Sequence, residues 1–139
     1  MSDLDRFVVA QEADGTYDRA LAELRAGRKT SHWMWFVLPQ LRGLGRSATA
    51  QHFGLADRAE ATAYAAHPVL GPRLQECASA LLGLGEVSAE SVLGSVDALK
   101  LRSSMTLFLR VDPGHEVWAE VLDRFFDGEP DPATDALLS

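Results

Sequence analysis

The sequence predicts an all-α protein, a compact single-domain bundle of short helices around a central apolar helix at about residues 96–111. Apolar residues recur at intervals of three and four along much of the chain, which is the spacing of one helix face. No stretch of convincing length alternates apolar and polar residues, as a half-buried strand would. A chain of 139 residues suits one hydrophobic core, so we expect a single helical domain over residues 1–139.

Start and stop signals delimit the helices of the first half. The first predicted helix runs from Tyr17 to Gly27, because apolar side chains follow helical spacing up to a glycine terminator. Asp57 and Glu60 have the spacing of a capping box, at the start of a helix that reaches about His67. The next helix presents an apolar stripe that consists of Leu70, Leu74, Cys77, Ala78, Leu81 and Leu82.

The second half is predicted to hold the central helix and two helices after it. The run Val96 to Val111 is apolar around most of its circumference, which suits a helix surrounded by protein. Asp112 with Pro113, and Asp131 with Pro132, have the form of an N-cap followed by a first-turn proline. The helix after the first of these pairs has a buried side formed by Val117, Trp118, Val121, Leu122 and Phe125.

Composition and charge exclude several classes of protein. The chain is 47% hydrophobic and 24% charged, as globular proteins are, and its longest apolar run, residues 33–38, is too short to cross a membrane. The N-terminus lacks the basic start and apolar stretch of a secretory signal, so we expect a cytoplasmic protein. A net charge of −7 argues against general nucleic-acid binding. Cys77 is the single cysteine, which excludes an internal disulfide.

The segment between Leu24 and Ala56 is basic and contains no acidic residue. Its charged and titratable residues are Arg25, Arg28, Lys29, Arg42 and Arg46, together with His32 and His52. A local excess of positive charge in an acidic protein favours the capture of an anionic ligand. Arg28 and Lys29 also follow a helix end, where cations stabilise the helix dipole without any ligand. Both explanations stand for these two residues.

Two tryptophans add an aromatic surface to the basic segment. Trp33 and Trp35 diverge on a helix and share a face on a strand, and residues 32–38 fit either element. An aromatic wall beside cations suits a ring-bearing anion such as a nucleotide, whereas each tryptophan taken alone fits a core position. His32 is the catalytic candidate, because an imidazole exchanges protons near neutral pH, and a surface role is its alternative.

The residues RGLGRS place a glycine-containing loop before a helix that Ser47 is placed to cap. Such a loop can present backbone N–H groups to a phosphate. Glycine turns between helices are common, however, and a turn is the favoured interpretation. The sequence contains no HExxH or comparable pair of metal ligands, so we expect neither a metal nor a cofactor.

A polar strip runs along the predicted central helix. Asp97, Lys100, Ser103 and Ser104 recur at spacings of three and four, so we expect them on one side of that helix. Lys100 and Asp97 fit a structural ion pair. The functional alternative is that Lys100 and both serines face the same cavity as His32 and the tryptophans, where the lysine contacts an anion and a serine hydroxyl orients it.

Four segments resemble the bacterial domain-of-unknown-function family eighteen-ten, sometimes mislabelled calpastatin: RFVVAQ, LRAGRKTSHWMWFVLPQLRGLGRS, HPVLGPRL and LKLRSSMTLF. The resemblance spans nearly the whole chain and implies a compact, mostly helical single domain with no assigned activity or catalytic residue. A second likeness is to the NADAR proteins, which act on ADP-ribose-linked metabolites. It is carried by Phe7, Ala10, Gln11, Gly27, Arg28 and Trp33, with Asp3 or Asp5 in the place of an expected acidic residue.

Three functions are open at this point. The first is a small-molecule-binding domain for a phosphate-bearing or nucleotide-like anion, with or without catalysis. Its catalytic candidate is His32, and its ligand-binding residues are Arg28, Lys29, Trp33, Trp35, Arg42, Lys100, Ser103 and Ser104. The second is a glycosidase-type hydrolase of an ADP-ribose-linked metabolite, which needs a carboxylate in the same pocket. The third is a protein-interaction module whose basic aromatic surface binds an acidic partner.

Overall fold

The protein is all-α, as predicted, in a computed structural model that describes residues 3–139. Its helices are α1 (Asp5–Glu12), α2 (Thr16–Ala26), α3 (Met34–Val37), α4 (Ala48–Phe53), α5 (Arg58–Ala66), α6 (Leu70–Leu82), α7 (Ala89–Leu93), α8 (Ser95–Val111), α9 (Val117–Phe126) and α10 (Pro132–Leu138). Across the described residues, the β-type pairing is limited to an isolated parallel bridge between Leu41 and Leu55. Met1 and Ser2, which belong to the predicted domain, lie outside the described residues.

The central helix α8 is enclosed by protein along its second half. It packs against α5, α7, α9 and α10. Residues 103–108 are all buried, around the whole circumference of the helix, which confirms the predicted central apolar helix. Around it, α6 packs against α2, α5 and α9, and α1 packs against α2 and α3. Between residues 3 and 139, no helix combines the length and the apolar character needed to span a lipid bilayer.

Most of the predicted helix boundaries are confirmed by caps. Ser47, Asp57 and Asp131 each accept a backbone N–H from three residues further on, at the starts of α4, α5 and α10. Gly27 ends α2 in the left-handed conformation, with φ at 76°, which glycine adopts without strain. Residues 32–38, which fit a helix or a strand, contain the short helix α3.

Two features of the helix pattern differ from the predictions. Asp112 does not cap the next helix: α9 begins only at Val117, and the Asp112 carboxylate accepts a hydrogen bond from Trp118 Nε1 at 3.2 Å. The sequence signals also miss α1, because Phe7 and Gln11 are its buried residues and leave no apolar stripe to detect. The first difference arises from a side-chain contact six residues along the chain, and the second from a helix with too few buried apolar residues to form a stripe.

A buried ion pair joins α1 to α5. Arg6 and Glu60 approach to 3.0 Å, and their side chains are 9% and 7% exposed. Glu60 also accepts the Ala56 N–H at 2.9 Å, instead of returning to Asp57 as the predicted capping box requires. Burial by itself raises the pKa of Glu60, but the hydrogen bonds of Arg6 and Ala56 outweigh it and hold the pKa below its ordinary value.

The carboxylate of Glu23 holds the segment that leads from α2 to α3. It accepts hydrogen bonds from the N–H groups of Thr30 (2.7 Å) and Ser31 (3.0 Å), from the Ser31 hydroxyl and from Trp33 Nε1 (2.9 Å). Trp33 is therefore fully enclosed with its indole N–H partnered. Burial by itself raises the pKa of Glu23, but these hydrogen bonds favour the carboxylate more strongly and lower the pKa to about 2.

We expect Glu23→Gln to lower the free energy of unfolding by about 2–4 kcal/mol at pH 7, because it replaces charge-assisted hydrogen bonds and turns an amide donor toward other donors. Since the pKa of the folded state is depressed, the stabilisation by Glu23 is complete above the ordinary pKa of 4.5 and is lost as the pH falls toward 2. Urea unfolding at about pH 7 and about pH 3 measures both effects, and the difference between the two proteins narrows at the lower pH.

The matched control is Glu86→Gln, at an exposed position, which we expect to change the stability little. A Glu23→Gln difference of the same size at both pH values contradicts the role given to the carboxylate.

Candidate functional site

A cavity of about 320 Å³ lies between α8, the chain that follows α3 and the start of α10. Two of its apolar residues, Val96 and Leu99, are 65% and 66% exposed, so this face of α8 reaches solvent. Apolar walls with a few polar groups are typical of small-molecule sites. The residues that line the cavity are Trp35, Gln40, Leu44, Gly45, Val96, Leu99, Lys100, Arg102, Ser103, Asp131 and Ala133.

The two lysines of the chain share one carboxylate next to this cavity. Lys29 Nζ lies 2.9 Å from Asp97 Oδ2, and Lys100 Nζ lies 3.2 Å from Asp97 Oδ1. The two lysine side chains are 10% and 17% exposed. Withdrawal of an ammonium group from water costs free energy that a nearby carboxylate offsets. Because one carboxylate serves two ammonium groups, this Lys29–Asp97–Lys100 cluster has a net charge of plus one.

The end of α2 directs Lys29 toward α8. After Gly27 turns the chain, Arg28 N–H donates to Glu23 O at 3.0 Å, which closes the helix end. Lys29 N–H then donates to Val92 O at 2.8 Å, which fixes the backbone of Lys29 against α7. The ammonium group of Lys29 thereby reaches Asp97 in the first turn of α8.

Trp35 forms the aromatic side of the cavity. Lys100 Nζ lies 3.5 Å from the centroid of its ring, which is a close cation–π contact. Gly45 lies at the ring edge, where an added Cβ would be 2.7 Å from Ala50 Cβ and 3.7 Å from Trp35 Cζ3. The RGLG loop is a turn, as predicted, and glycine at position 45 leaves room between Trp35 and α4.

Ser103 and Asp131 line another part of the cavity, where α10 begins. The Ser103 hydroxyl donates to Asp131 Oδ2 at 2.9 Å. The same oxygen accepts the Thr134 hydroxyl at 2.6 Å and the Thr134 N–H at 3.2 Å. Thr106 Oγ1 accepts the Asp131 N–H at 2.8 Å. These hydrogen bonds fix the first turn of α10 on α8 and hold the Asp131 carboxylate at the cavity.

The structure brings together part of the ligand-binding set that the sequence predicts. Trp35, Lys100 and Ser103 line the cavity, and Lys29 lies beside it through Asp97. These residues come from two distant parts of the sequence, since Trp35 belongs to α3 and Lys100 and Ser103 belong to α8. The expected cavity also included His32, Trp33 and Ser104, which do not line this one, and the binding role of Trp35, Lys100 and Ser103 stays a prediction.

The other predicted site residues lie elsewhere. Arg28 and His32 are exposed and do not line this cavity, so the cavity offers His32 no substrate to act on. Trp33 and Ser104 are fully enclosed, and the Ser104 hydroxyl has no hydrogen-bond partner among residues 3–139. Arg42 does not line this cavity but two others, each together with Ala56.

Three polar residues of the cavity are outside the predicted set. Gln40 and Arg102 belong to no motif in the sequence that would single them out. In the structure, Arg102 donates to the backbone oxygens of Glu129 and Pro130, each at 2.9 Å. The sequence identifies Asp131 as a helix cap, which is correct, but its approach to Ser103 depends on how α10 packs against α8. Over residues 3–139, no group of three or more His, Cys, Asp or Glu side chains is placed to hold a metal ion.

We expect Ser103→Ala and Ser104→Ala to have different effects on stability. Ser104→Ala removes a buried hydroxyl that has no partner, so the free energy of unfolding stays the same or rises by up to about 1 kcal/mol. Ser103→Ala removes a hydrogen bond to a carboxylate and lowers the free energy of unfolding by about 1–2 kcal/mol. Chemical unfolding of the two variants measures the difference, and losses of equal size would contradict this assignment of the two serines.

Comparison with known proteins agrees with this fold. The chain matches the family described as "Protein of unknown function (DUF1810)" over residues 1–138. It is similar to the conserved hypothetical protein Rv1873 from Mycobacterium tuberculosis, whose crystal structure at 1.38 Å gives a TM-score of 0.94 at 47% identity, over 98% of this chain and 96% of that chain. No curated protein matches the chain. The chain therefore belongs to the DUF1810 family of proteins of unknown function, the family that its sequence segments resemble.

Proposed function

We propose that this protein is a small-molecule-binding domain that holds a phosphate-bearing or nucleotide-like anion in the cavity beside Lys100 and Trp35. The observation that carries the proposal is the Lys29–Asp97–Lys100 cluster, in which two ammonium groups share one carboxylate at the edge of a cavity. The chain as a whole has a charge of −7, so a positive site of this kind is a local exception. Positive potential at a concave, partly desolvated site concentrates anions there.

The size and walls of the cavity indicate a small ligand. Its volume of about 320 Å³ is near the lower end of the range of about 300–1,000 Å³ for small-molecule sites. A phosphorylated sugar or a mononucleotide fits this volume better than a dinucleotide does. Leu44, Leu99 and the indole of Trp35 supply the apolar wall on which a sugar ring or a base packs.

Lys100 is the group that contacts the anion. Its ammonium group already has a carboxylate and an aromatic face as neighbours, and Lys29 supplies a second cation to the same carboxylate. An anion at Lys100 therefore completes the charge balance of the cluster without leaving Asp97 unpaired. Ser103, one helical turn away on α8, lines the same cavity, but its hydroxyl proton is donated to Asp131, so its oxygen can only accept a hydrogen bond from a ligand hydroxyl.

The cavity favours binding over the two other functions. Glycosidase-type hydrolysis ordinarily uses two carboxyl groups, and Asp131 is the single carboxylate among the residues that line the cavity. Asp131 is also committed to the cap of α10, through Thr134. A docking surface for an acidic protein would present its aromatic residues on a flat patch, whereas Trp35 lies beside a concavity. Catalysis is not part of the proposal.

Thermal unfolding with inorganic phosphate, ribose 5-phosphate and AMP tests the proposal, because a ligand at about a hundred times its Kd stabilises the folded state by about 2.7 kcal/mol. We expect Lys100→Met to keep the apolar stem beside Trp35 and to weaken binding of the stabilising probe about 10- to 100-fold, the effect of about 1.5–3 kcal/mol for a hydrogen bond to a charged group. Calorimetric titration of the purified proteins measures the affinities.

Arg28→Met is the matched control, since Arg28 is an exposed cation one residue from Lys29 and does not line the cavity. We expect its affinity to stay within about twofold of the original protein. The proposal is wrong if none of the three probes stabilises the protein, or if Arg28→Met weakens binding as much as Lys100→Met does.

A further inference from the structure

We infer that the ligand of this cavity carries a sugar or similar polyol, whose hydroxyl groups donate to Asp131 while its anionic group lies at Lys100. This inference rests on the proposed function and adds the chemical class and the orientation of the ligand. It is carried by Asp131, which contributes the single carboxylate among the residues that line the cavity, opposite in charge to the lining residue Lys100.

The two oxygens of the Asp131 carboxylate are in different situations. Oδ2 accepts three hydrogen bonds, from the Ser103 hydroxyl, the Thr134 hydroxyl and the Thr134 N–H. Oδ1 accepts none from the groups of residues 3–139. A carboxylate oxygen has lone pairs for about two donors and donates nothing itself. We assign this free oxygen as the acceptor for a hydroxyl group of the ligand.

Asp131 is held in place whether or not a ligand is present. Thr106 accepts its N–H at 2.8 Å, and Arg102 donates to the carbonyl groups of the two residues before it, Glu129 and Pro130. The arginine itself lines the cavity. Because the carboxylate is fixed by the scaffold, a ligand hydroxyl finds its acceptor already oriented, which lowers the entropy cost of binding.

The spacing between the two ends suits a sugar that bears a phosphate. Lys100 and Ser103 are three residues apart on one face of α8, with about 5–6 Å between their Cβ atoms. Ser103 is hydrogen-bonded to the Asp131 carboxylate, so this carboxylate lies next to the residue that is about one helical turn from the lysine. In a pentose 5-phosphate, the 2- and 3-hydroxyl groups and the phosphate-bearing carbon are on opposite faces of the furanose ring. A hydroxyl acceptor at Asp131 and an ammonium group at Lys100 then select one orientation of the ligand.

Two pairs of probes test the inference: AMP against 2′,3′-dideoxy-AMP, and ribose 5-phosphate against 2-deoxyribose 5-phosphate. We expect the complete protein to bind the hydroxyl-bearing member of each pair at least about tenfold more tightly, since loss of a hydrogen bond to a charged group costs about that factor or more. Asp131→Asn keeps an oxygen for the cap of α10 and replaces the free acceptor with an amide donor. We expect this variant to lose the preference; because the Oδ2 hydrogen bonds lose their charge assistance, its melting temperature falls by a few degrees, and the affinities are measured well below that transition.

Asp57→Asn is the matched control, because Asp57 caps α5 as Asp131 caps α10 and lies outside this cavity. It keeps the preference. The inference is wrong if the unchanged protein binds both members of each pair equally, or if Asp131→Asn keeps the preference. If binding is equal but is still weakened by Lys100→Met, the proposed function stands and the polyol assignment falls; if no probe binds, both fall.

Discussion

The carboxylate of Asp97 lies between the two lysine ammonium groups of the chain, and the position and charge of the cavity depend on this contact. Both lysine side chains are largely withdrawn from water, which only a partner of opposite charge makes tolerable. The contact joins the chain after α2 to the first turn of α8. It also leaves one positive charge uncompensated, immediately beside Trp35 and the residues that line the cavity.

The basic segment contains no acid of its own, and acids from other helices complete it. Glu23 of α2 holds residues 30–33 in place and partners the indole of Trp33. Asp97 of α8 partners Lys29. Of the cations in this segment, Lys29 is paired with Asp97 and Arg25 with Glu76 at 3.8 Å, so part of the positive charge is compensated by acids of other helices. Positive charge remains in excess next to the cavity because two lysines meet one aspartate there.

The sequence predicts the helices far better than it predicts the site. The central helix α8 can be predicted because apolar residues occupy most of its circumference. The starts of α5 and α10 can be predicted because a cap is a local interaction. Asp112 has the same local form as Asp131, yet it partners the indole of Trp118 instead of capping α9. Local spacing cannot distinguish these two cases, since the difference lies in a contact with a side chain further along the chain.

Within the site, the sequence identifies the residue types but does not predict which of their side chains face the cavity. Trp33 and Trp35 are the same residue type in the same segment. Trp33 is buried in the core with its indole N–H bonded to Glu23, whereas Trp35 lines the cavity. Ser103 and Ser104 are neighbours that point about 100° apart on a helix, so only one of them can face the cavity. These outcomes depend on which neighbouring helix packs against each side, which composition and spacing do not specify.

The most direct measurement of the central claim uses the fact that the chain has only two lysines. With ¹³C-labelled lysine, the side chains give two sets of NMR signals, which a Lys29→Arg variant assigns. The account predicts that the ε-methylene signal of Lys100 lies at unusually high field, because its ammonium group is 3.5 Å from the Trp35 ring centroid. It further predicts that AMP moves this signal saturably and more than that of Lys29. An ordinary Lys100 signal that does not respond while AMP binds would contradict it.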